Sequence, residues 1–211
     1  IVAHYGFISE RTKIAFTAAH EAGIHIYFVT GRPIRWMSEI KENFNFGTGI
    51  CANGAMLYDF INQKVLEQWL FSVENQLETV KRLREVIPLV NFAVEIDEQF
   101  HREKDYLARW DIGIDNVGVN KIEEVINKPA LKMLARCGDA SMSSDEMMSA
   151  ATKALVGIAT VTHSNSTDSL LEISADGVSK GETLSKIAAR HGLTAEDCVT
   201  FGDNPNDFSM L

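Results

Sequence analysis

Three cysteines in 211 residues, at positions 51, 137 and 198, are too few and too scattered for a disulfide framework. None lies in a Cys-x-x-Cys spacing or beside a histidine. They read as reduced, mostly buried thiols of a cytoplasmic protein. Basic charge is also short, with 20 Lys and Arg against 29 Asp and Glu and a net charge of -9. That balance argues against nucleic acid and against an anionic membrane surface as partners, since both need a basic face. No apolar stretch approaches the length that crosses a bilayer, and no signal-peptide pattern stands at the start. A Gly-x-Ser-x-Gly elbow is missing, so a Ser-His-Asp hydrolase is not indicated. The six histidines are scattered and read as structural or surface residues. No repeat or low-complexity tract occurs. One further absence bears on chemistry: no aspartate precedes Asp59.

What is present is an α/β rhythm in a chain that is 45% hydrophobic and able to bury a substantial core. Ser9 caps a helix whose Ala15, Ala18, Ala19 and Ala22 are small packing residues and whose stop is Gly23. The nearly continuous apolar run Ile24–Val29 predicts a buried parallel strand. Pro33 suits the first position of a helix carrying Ile34, Met37, Ile40 and Phe44 on one face. A second strand runs through Ile50 to Ala52. From about Asp59 to Asp168 the pattern changes. A helix with Leu77, Val80, Leu83 and Ile87 on one face precedes an alternating strand, Phe92–Ile96, and Leu131–Ala135 reads as another strand. Ser143 and Glu146 form a capping box for a helix bearing Met148, Ala151 and Leu155. Ile158–His163 and Leu170–Ile173 then read as a hairpin joined by 165–168.

Three segments carry chemistry. Near the end, the apolar run Val199-Thr200-Phe201, read as a buried strand, breaks into Gly202-Asp203-Asn204-Pro205-Asn206-Asp207. Two carboxylates about 4 Å apart repel by about 4 kcal/mol near a surface, so such a pair calls for a cation, Mg²⁺ in the first instance. The same residues also make ordinary turns and caps, and both readings stand on this motif alone. Thr30-Gly31-Arg32-Pro33 places a hydroxyl, a glycine and free N–H groups at a strand-to-helix junction, which suits an anion and equally a plain βα turn. Gly177-Val178-Ser179-Lys180-Gly181 opens a helix that bears Leu184, Ile187 and Ala188 and stops at Gly192. A cation in the first turn opposes the helix dipole, so Lys180 is either solvated or matched by a local anion.

Taken in order, these segments resemble motifs two, three and four of the haloacid dehalogenase superfamily, and within it the Cof-type (class IIB) phosphatases. Cys51-Ala52-Asn53-Gly54-Ala55 resembles that family's Asn-Gly-Ala stretch. The resemblance implies an α/β fold: a doubly wound, parallel, Rossmann-like core of residues 1–58 and 172–211, with an inserted α/β cap of residues 59–171. It implies Mg²⁺-dependent hydrolysis of small phosphate monoesters, sugar phosphates among the candidates, through an aspartyl-phosphate intermediate. Asp203 and Asp207 would serve the metal. Thr30, Gly31, Lys180 and Asn206 would hold phosphoryl oxygens, with Lys180, Thr30 and Asp203 as the catalytic set. Arg32, Asn53 and Gly54 would face the substrate. The partner implied is a small phosphorylated metabolite. The family's first motif, Asp-x-Asp-Gly-Thr, has no counterpart here, while residues 3–9 resemble the stretch that the family places immediately after that motif. The expectation is therefore a portion of a longer protein. A phosphomutase and a non-catalytic phosphate- or metal-binding fragment are the alternative functions.

Overall fold

In the structure, a computed structural model, residues 7–108 and 115–211 are described. Ala3–Gly6, most of the stretch similar to the family's sequence after its first motif, lies outside them. Helix α1 spans Glu10–Glu21, and its Thr12 N–H donates to the Ser9 hydroxyl at 3.1 Å. Gly23 follows at φ +81°, a left-handed stop. The alanines predicted to pack are not buried, and no residue of α1 is. Contact comes instead from aromatic rings: Phe16 stacks on Phe28 at 5.8 Å, and His20 lies on Phe46 at 4.3 Å. Ring area outweighs what alanine methyl groups supply.

The predicted first strand shortens to β1, Tyr27–Val29, because Ile24 is exposed and only three residues find a partner. β1 pairs in parallel with β2, Thr48–Cys51. Between them Pro33 caps a 3-10 turn, Ile34–Trp36, and the α-helix α2 begins only at Ser38 and ends at Asn43. The single helix predicted from Pro33 is thus two pieces, yet Ile34, Met37, Ile40 and Phe44 are all buried. β2 pairs antiparallel with β3, Met56–Asp59, which pairs antiparallel with β4, Lys64–Gln68.

A second sheet has the order β6-β5-β7-β9-β8, with every pair antiparallel. Its strands are β5 (Val90–Ile96), β6 (Gln99–Arg102), β7 (Lys132–Cys137), β8 (Ala159–Thr162) and β9 (Leu170–Ala175). The predicted hairpin is present as β8 and β9. One face of the sheet carries α3, Val73–Val86, and α4, Ser144–Ala154, the latter with the capping box at Ser143 and Glu146. Val80, Leu83 and Ile87 of α3, with Met147, Ala151 and Leu155 of the α4 region, pack there on Phe92, Val94, Met133 and Ile173. Leu77 is exposed, while Met148 packs half-buried against this core beside the fully buried Met147. β5 does not alternate as read: it is buried on both faces, since on its second face Ala93 packs with Tyr106 and Leu134 and Glu95 meets Arg35.

Helix α5, Lys180–Arg190, is capped by Ser179 and closes the first sheet over Ile50 and Leu57 through Ile187. The strand predicted at Val199–Phe201 is not formed. Val199 is 82% and Phe201 79% exposed, and without a hydrogen-bonded neighbour an apolar run has no sheet to join. The last strand of the first sheet ends at Gln68, and the strands of the second sheet run from Val90 to Ala175.

Leu83→Ala is expected to cost about 2–5 kcal/mol by opening a cavity under the second sheet. Leu77→Ala, on the exposed side of the same helix, should cost under about 1 kcal/mol. Urea denaturation of the two variants checks the order, and equal losses would reject this orientation of α3.

Candidate active site

Two loops at the carboxyl ends of β1 and β2 form the floor of the site. The 30–32 loop is tied to the 52–54 turn by the Asn53 N–H donating to the Thr30 carbonyl and the Ala52 N–H to the Arg32 carbonyl, each at 3.0 Å. Ala52 and Asn53 both hold positive φ, 51° and 56°, which turns the chain sharply enough to aim the Asn53 side chain inward. Asn53 is buried. The Thr30 hydroxyl accepts from the Arg32 N–H at 3.1 Å, closing the loop on itself.

The first turn of α5 is pressed onto this floor. The Thr183 hydroxyl donates to the Gly54 carbonyl at 2.9 Å, and a Cβ on Gly54 would stand 2.3 Å from the Ser179 carbonyl oxygen. On its other side, a Cβ on Gly181 would stand 1.8 Å from the Ser209 carbonyl oxygen, so the 3-10 turn Pro205–Met210 rests directly on the helix. Glycine at 54 and 181 is what lets three backbones meet.

These approaches put Lys180 inside the protein, and a solvated lysine is ruled out: it is 5% exposed. Its ammonium donates to the Asp207 carboxylate at 2.5 Å and to the Asn206 side-chain oxygen at 3.0 Å. The Asn206 amide then donates to the Asn53 oxygen at 3.3 Å. Burial alone would raise the Asp207 carboxyl. The Lys180 ammonium, together with N–H groups from Asn204 and Asp203, instead holds it below the usual aspartate range.

From the second sheet, two residues that the sequence reading missed complete the cluster. Glu172 on β9 accepts from the Asn53 amide at 2.8 Å and from Lys132 on β7 at 2.7 Å. Lys132 also donates to the Gly31 carbonyl at 2.8 Å. Burial would raise Glu172, and the Lys132 ammonium and the Asn53 hydrogen bond bring it below the ordinary glutamate value. The available signal was a charge inside an apolar strand, Leu131-Lys132-Met133 and Leu171-Glu172-Ile173. Buried ions of opposite sign on neighbouring strands are expected to pair.

Gly31 faces this cluster. A Cβ there would lie 2.8 Å from the Asn53 side-chain oxygen, 3.4 Å from a Glu172 oxygen and 3.5 Å from the Asn206 amide nitrogen. Arg32 is not drawn in: its guanidinium is half exposed, 4.0 Å from Glu39. Asp203 follows no strand end, contrary to the sequence reading, and among the described residues its exposed carboxylate accepts only from the Asn204 amide at 3.1 Å.

The metal assignment divides here. Asp203 offers a carboxylate to solvent, as a Mg²⁺ ligand needs. Asp207 does not fit, because one oxygen takes the Lys180 ammonium and the other the N–H groups of Asp203 and Asn204, at 3.1 and 3.0 Å. Among the described residues no three His, Cys, Asp or Glu side chains gather into a metal site.

A family model for haloacid dehalogenase-like hydrolases matches residues 2–211. The chain belongs to that family. The 5-amino-6-(5-phospho-D-ribitylamino)uracil phosphatase YitU of Bacillus subtilis is 25% identical, with 97% of this chain and 76% of that protein covered. The fold is shared with the haloacid dehalogenase-superfamily phosphatase BT1666 of Bacteroides thetaiotaomicron at a TM-score of 0.76 and 19% identity, covering 99% of this chain and 75% of that one. It is shared also with the subclass IIB sugar phosphatase BT4131, at a TM-score of 0.70 and 21% identity, with 98% and 77% covered. The α/β architecture is therefore that of the haloacid dehalogenase-like fold.

Because the folded Asp207 carboxyl titrates below its unfolded value, its contribution to stability is present above about pH 3.9 and is lost as pH falls through the folded value. Asp207→Asn should flatten that acid dependence. It should also cost about 3–5 kcal/mol at neutral pH, since Lys180 stays buried without its anion. Denaturation from pH 7 to pH 2 reads both. An unchanged acid limb would show that the pair is not coupled to folding.

Proposed function

We propose that this chain supplies the phosphoryl-holding part of a Mg²⁺-dependent phosphatase acting on small phosphate monoesters, sugar phosphates included, through an aspartyl-phosphate intermediate. The observation that carries the reading is Lys180, a buried ammonium fixed by Asn206 and Asp207, with the Asn206 amide nitrogen 3.5 Å from where a Cβ on Gly31 would stand. A cation so placed is preorganised toward oxygens that carry developing charge and needs no reorganisation when they arrive.

In this reading the Gly31 N–H, the Thr30 hydroxyl, the Lys180 ammonium and the Asn206 amide hold phosphoryl oxygens. Asp207 positions Lys180 rather than binding metal. Asp203 is the carboxylate left for Mg²⁺, which when bound would offset phosphoryl charge. The nucleophilic aspartate of the family's route is not among the residues gathered here, as no aspartate precedes Asp59. We take 69–175 as the cap and the rest as the core. Asn53 and Gly54 shape the floor, while Arg32 keeps only a place at its rim. Two Bacillus subtilis relatives are named as phosphatases of 5-amino-6-(5-phospho-D-ribitylamino)uracil, which favours a small phosphorylated metabolite as partner. The reduced cysteines fit the cytoplasm, and among the described residues no helix is long and apolar enough to cross a membrane.

Asp203→Asn, assayed in the natural protein that contains these residues, should leave the melting temperature unchanged and lower Mg²⁺-dependent phosphate release by at least about 10²-fold. Undiminished turnover would remove Asp203 from the site. A phosphorylated product without free phosphate would favour the phosphomutase reading.

A further inference from the structure

The face of the second sheet that carries Lys132 and Glu172 continues to Arg136, four residues further along β7. Residues 132, 134 and 136 share a face, because side chains alternate along a strand, and Arg136 lies about 13 Å beyond Lys132. Met133 and Ala135 point the other way, into the core under α3 and α4.

Among the described residues, charge on this face is matched except at one place. Glu172 has Lys132, and Glu95 has a bidentate partner in Arg35 at 2.7 and 2.8 Å. Arg136 forms no ion pair with any described carboxylate. It is 6% exposed, and a single nitrogen is satisfied, by the Asp168 main-chain oxygen at 2.7 Å. Among the described residues its Nε and Nη2 have no hydrogen-bond partner. The Tyr106 ring lies 5.7 Å from the guanidinium carbon, and the Tyr106 hydroxyl, on a residue 1% exposed, likewise has no hydrogen-bond partner among the described residues. Burial pushes the Tyr106 phenol up to about 12, so it keeps its proton and remains a donor. The phenol oxygen and the guanidinium act on each other, but at no hydrogen-bonding distance, and buried guanidinium donors without an anion beside them are an exception to the rule that buried polar groups are paired.

We infer that Arg136 and Tyr106 form a second recognition point for the substrate, taking the end of the leaving group remote from the phosphoryl group. The end they fit is a carboxylate, whose two oxygens match the paired donors of a guanidinium edge with a third bond from the phenol. The substrate class is then a phosphomonoester of extended shape with an anionic far end. This rests on the phosphatase reading for the position of the phosphoryl group. Arg136 and Tyr106 act on specificity and not on bond breaking.

The test compares two six-carbon phosphomonoesters that differ at the far end alone, 6-phosphogluconate with its carboxylate and glucitol 6-phosphate with a hydroxymethyl group. Binding to the natural protein is measured by calorimetry, and phosphate release is followed separately. The carboxylate ligand is expected to bind about tenfold tighter or better, the worth of a charge-assisted bond. Arg136→Met should abolish that preference while leaving glucitol 6-phosphate affinity unchanged. Arg136→Lys should keep part of it, and Tyr106→Phe should reduce it a few-fold. These two variants carry the test if Arg136→Met does not fold. Equal affinity for the two ligands in the unaltered protein, or equal loss for both in the variants, overturns the proposal. A preference for the carboxylate without phosphate release would sink the phosphatase reading and leave the subsite standing. Binding of neither ligand would reject both.

Discussion

The buried pair between Lys180 and Asp207 is the constraint around which the first sheet's ligand end is arranged. An ammonium at the start of a helix is unfavourable by itself, because the helix dipole is positive there. Burial makes it worse. The protein offsets both by bringing the 3-10 turn 205–210 hard against α5, so that a carboxylate and an amide oxygen reach the ammonium at 2.5 and 3.0 Å. That contact is possible only because position 181 has no side chain. The glycines around the lysine are part of the same electrostatic solution.

From this pair, hydrogen bonds run without a break into the second sheet: Asn206 to Asn53, Asn53 to Glu172, Glu172 to Lys132, and Lys132 back to the Gly31 carbonyl. Each buried charge along this chain of bonds, Lys180, Asp207, Glu172 and Lys132, has an opposite charge within direct reach, which makes a polar centre tolerable between two apolar cores. Arg35 and Glu95 repeat the device nearby. The face of the second sheet is polar for this reason, and β5 could not keep the simple alternation of a strand with one side in water.

Much of this was legible in the residues. Ser9, Ser143 with Glu146, and Gly23 announced their caps because capping is local and depends on few atoms. The motifs at Thr30, Asn53, Lys180 and Asp203–Asp207 were legible through an ordered resemblance, and the structure joins Gly31, Asn53, Lys180, Asn206 and Asp207 in one cluster. Lys132 and Glu172 were not, because their meaning depends on which strand lies beside which and on a contact across some 100 residues of sequence. Val199–Phe201 read as a strand from apolarity alone, yet a strand exists by its neighbours. Leu77 failed by one position, with Gln76 buried in its place, the ordinary consequence of reading a helix face without knowing what it faces.

The bond from Lys132 to the Gly31 carbonyl has a bearing on how such proteins can change. That carbonyl belongs to the peptide whose N–H, at Arg32, closes the Thr30 loop. A side chain from one sheet therefore sets the orientation of a peptide plane in the other. The two halves are not interchangeable modules. A different second sheet grafted onto this floor would have to bring a cation to the same point, or the loop would be left with a buried carbonyl turned toward nothing.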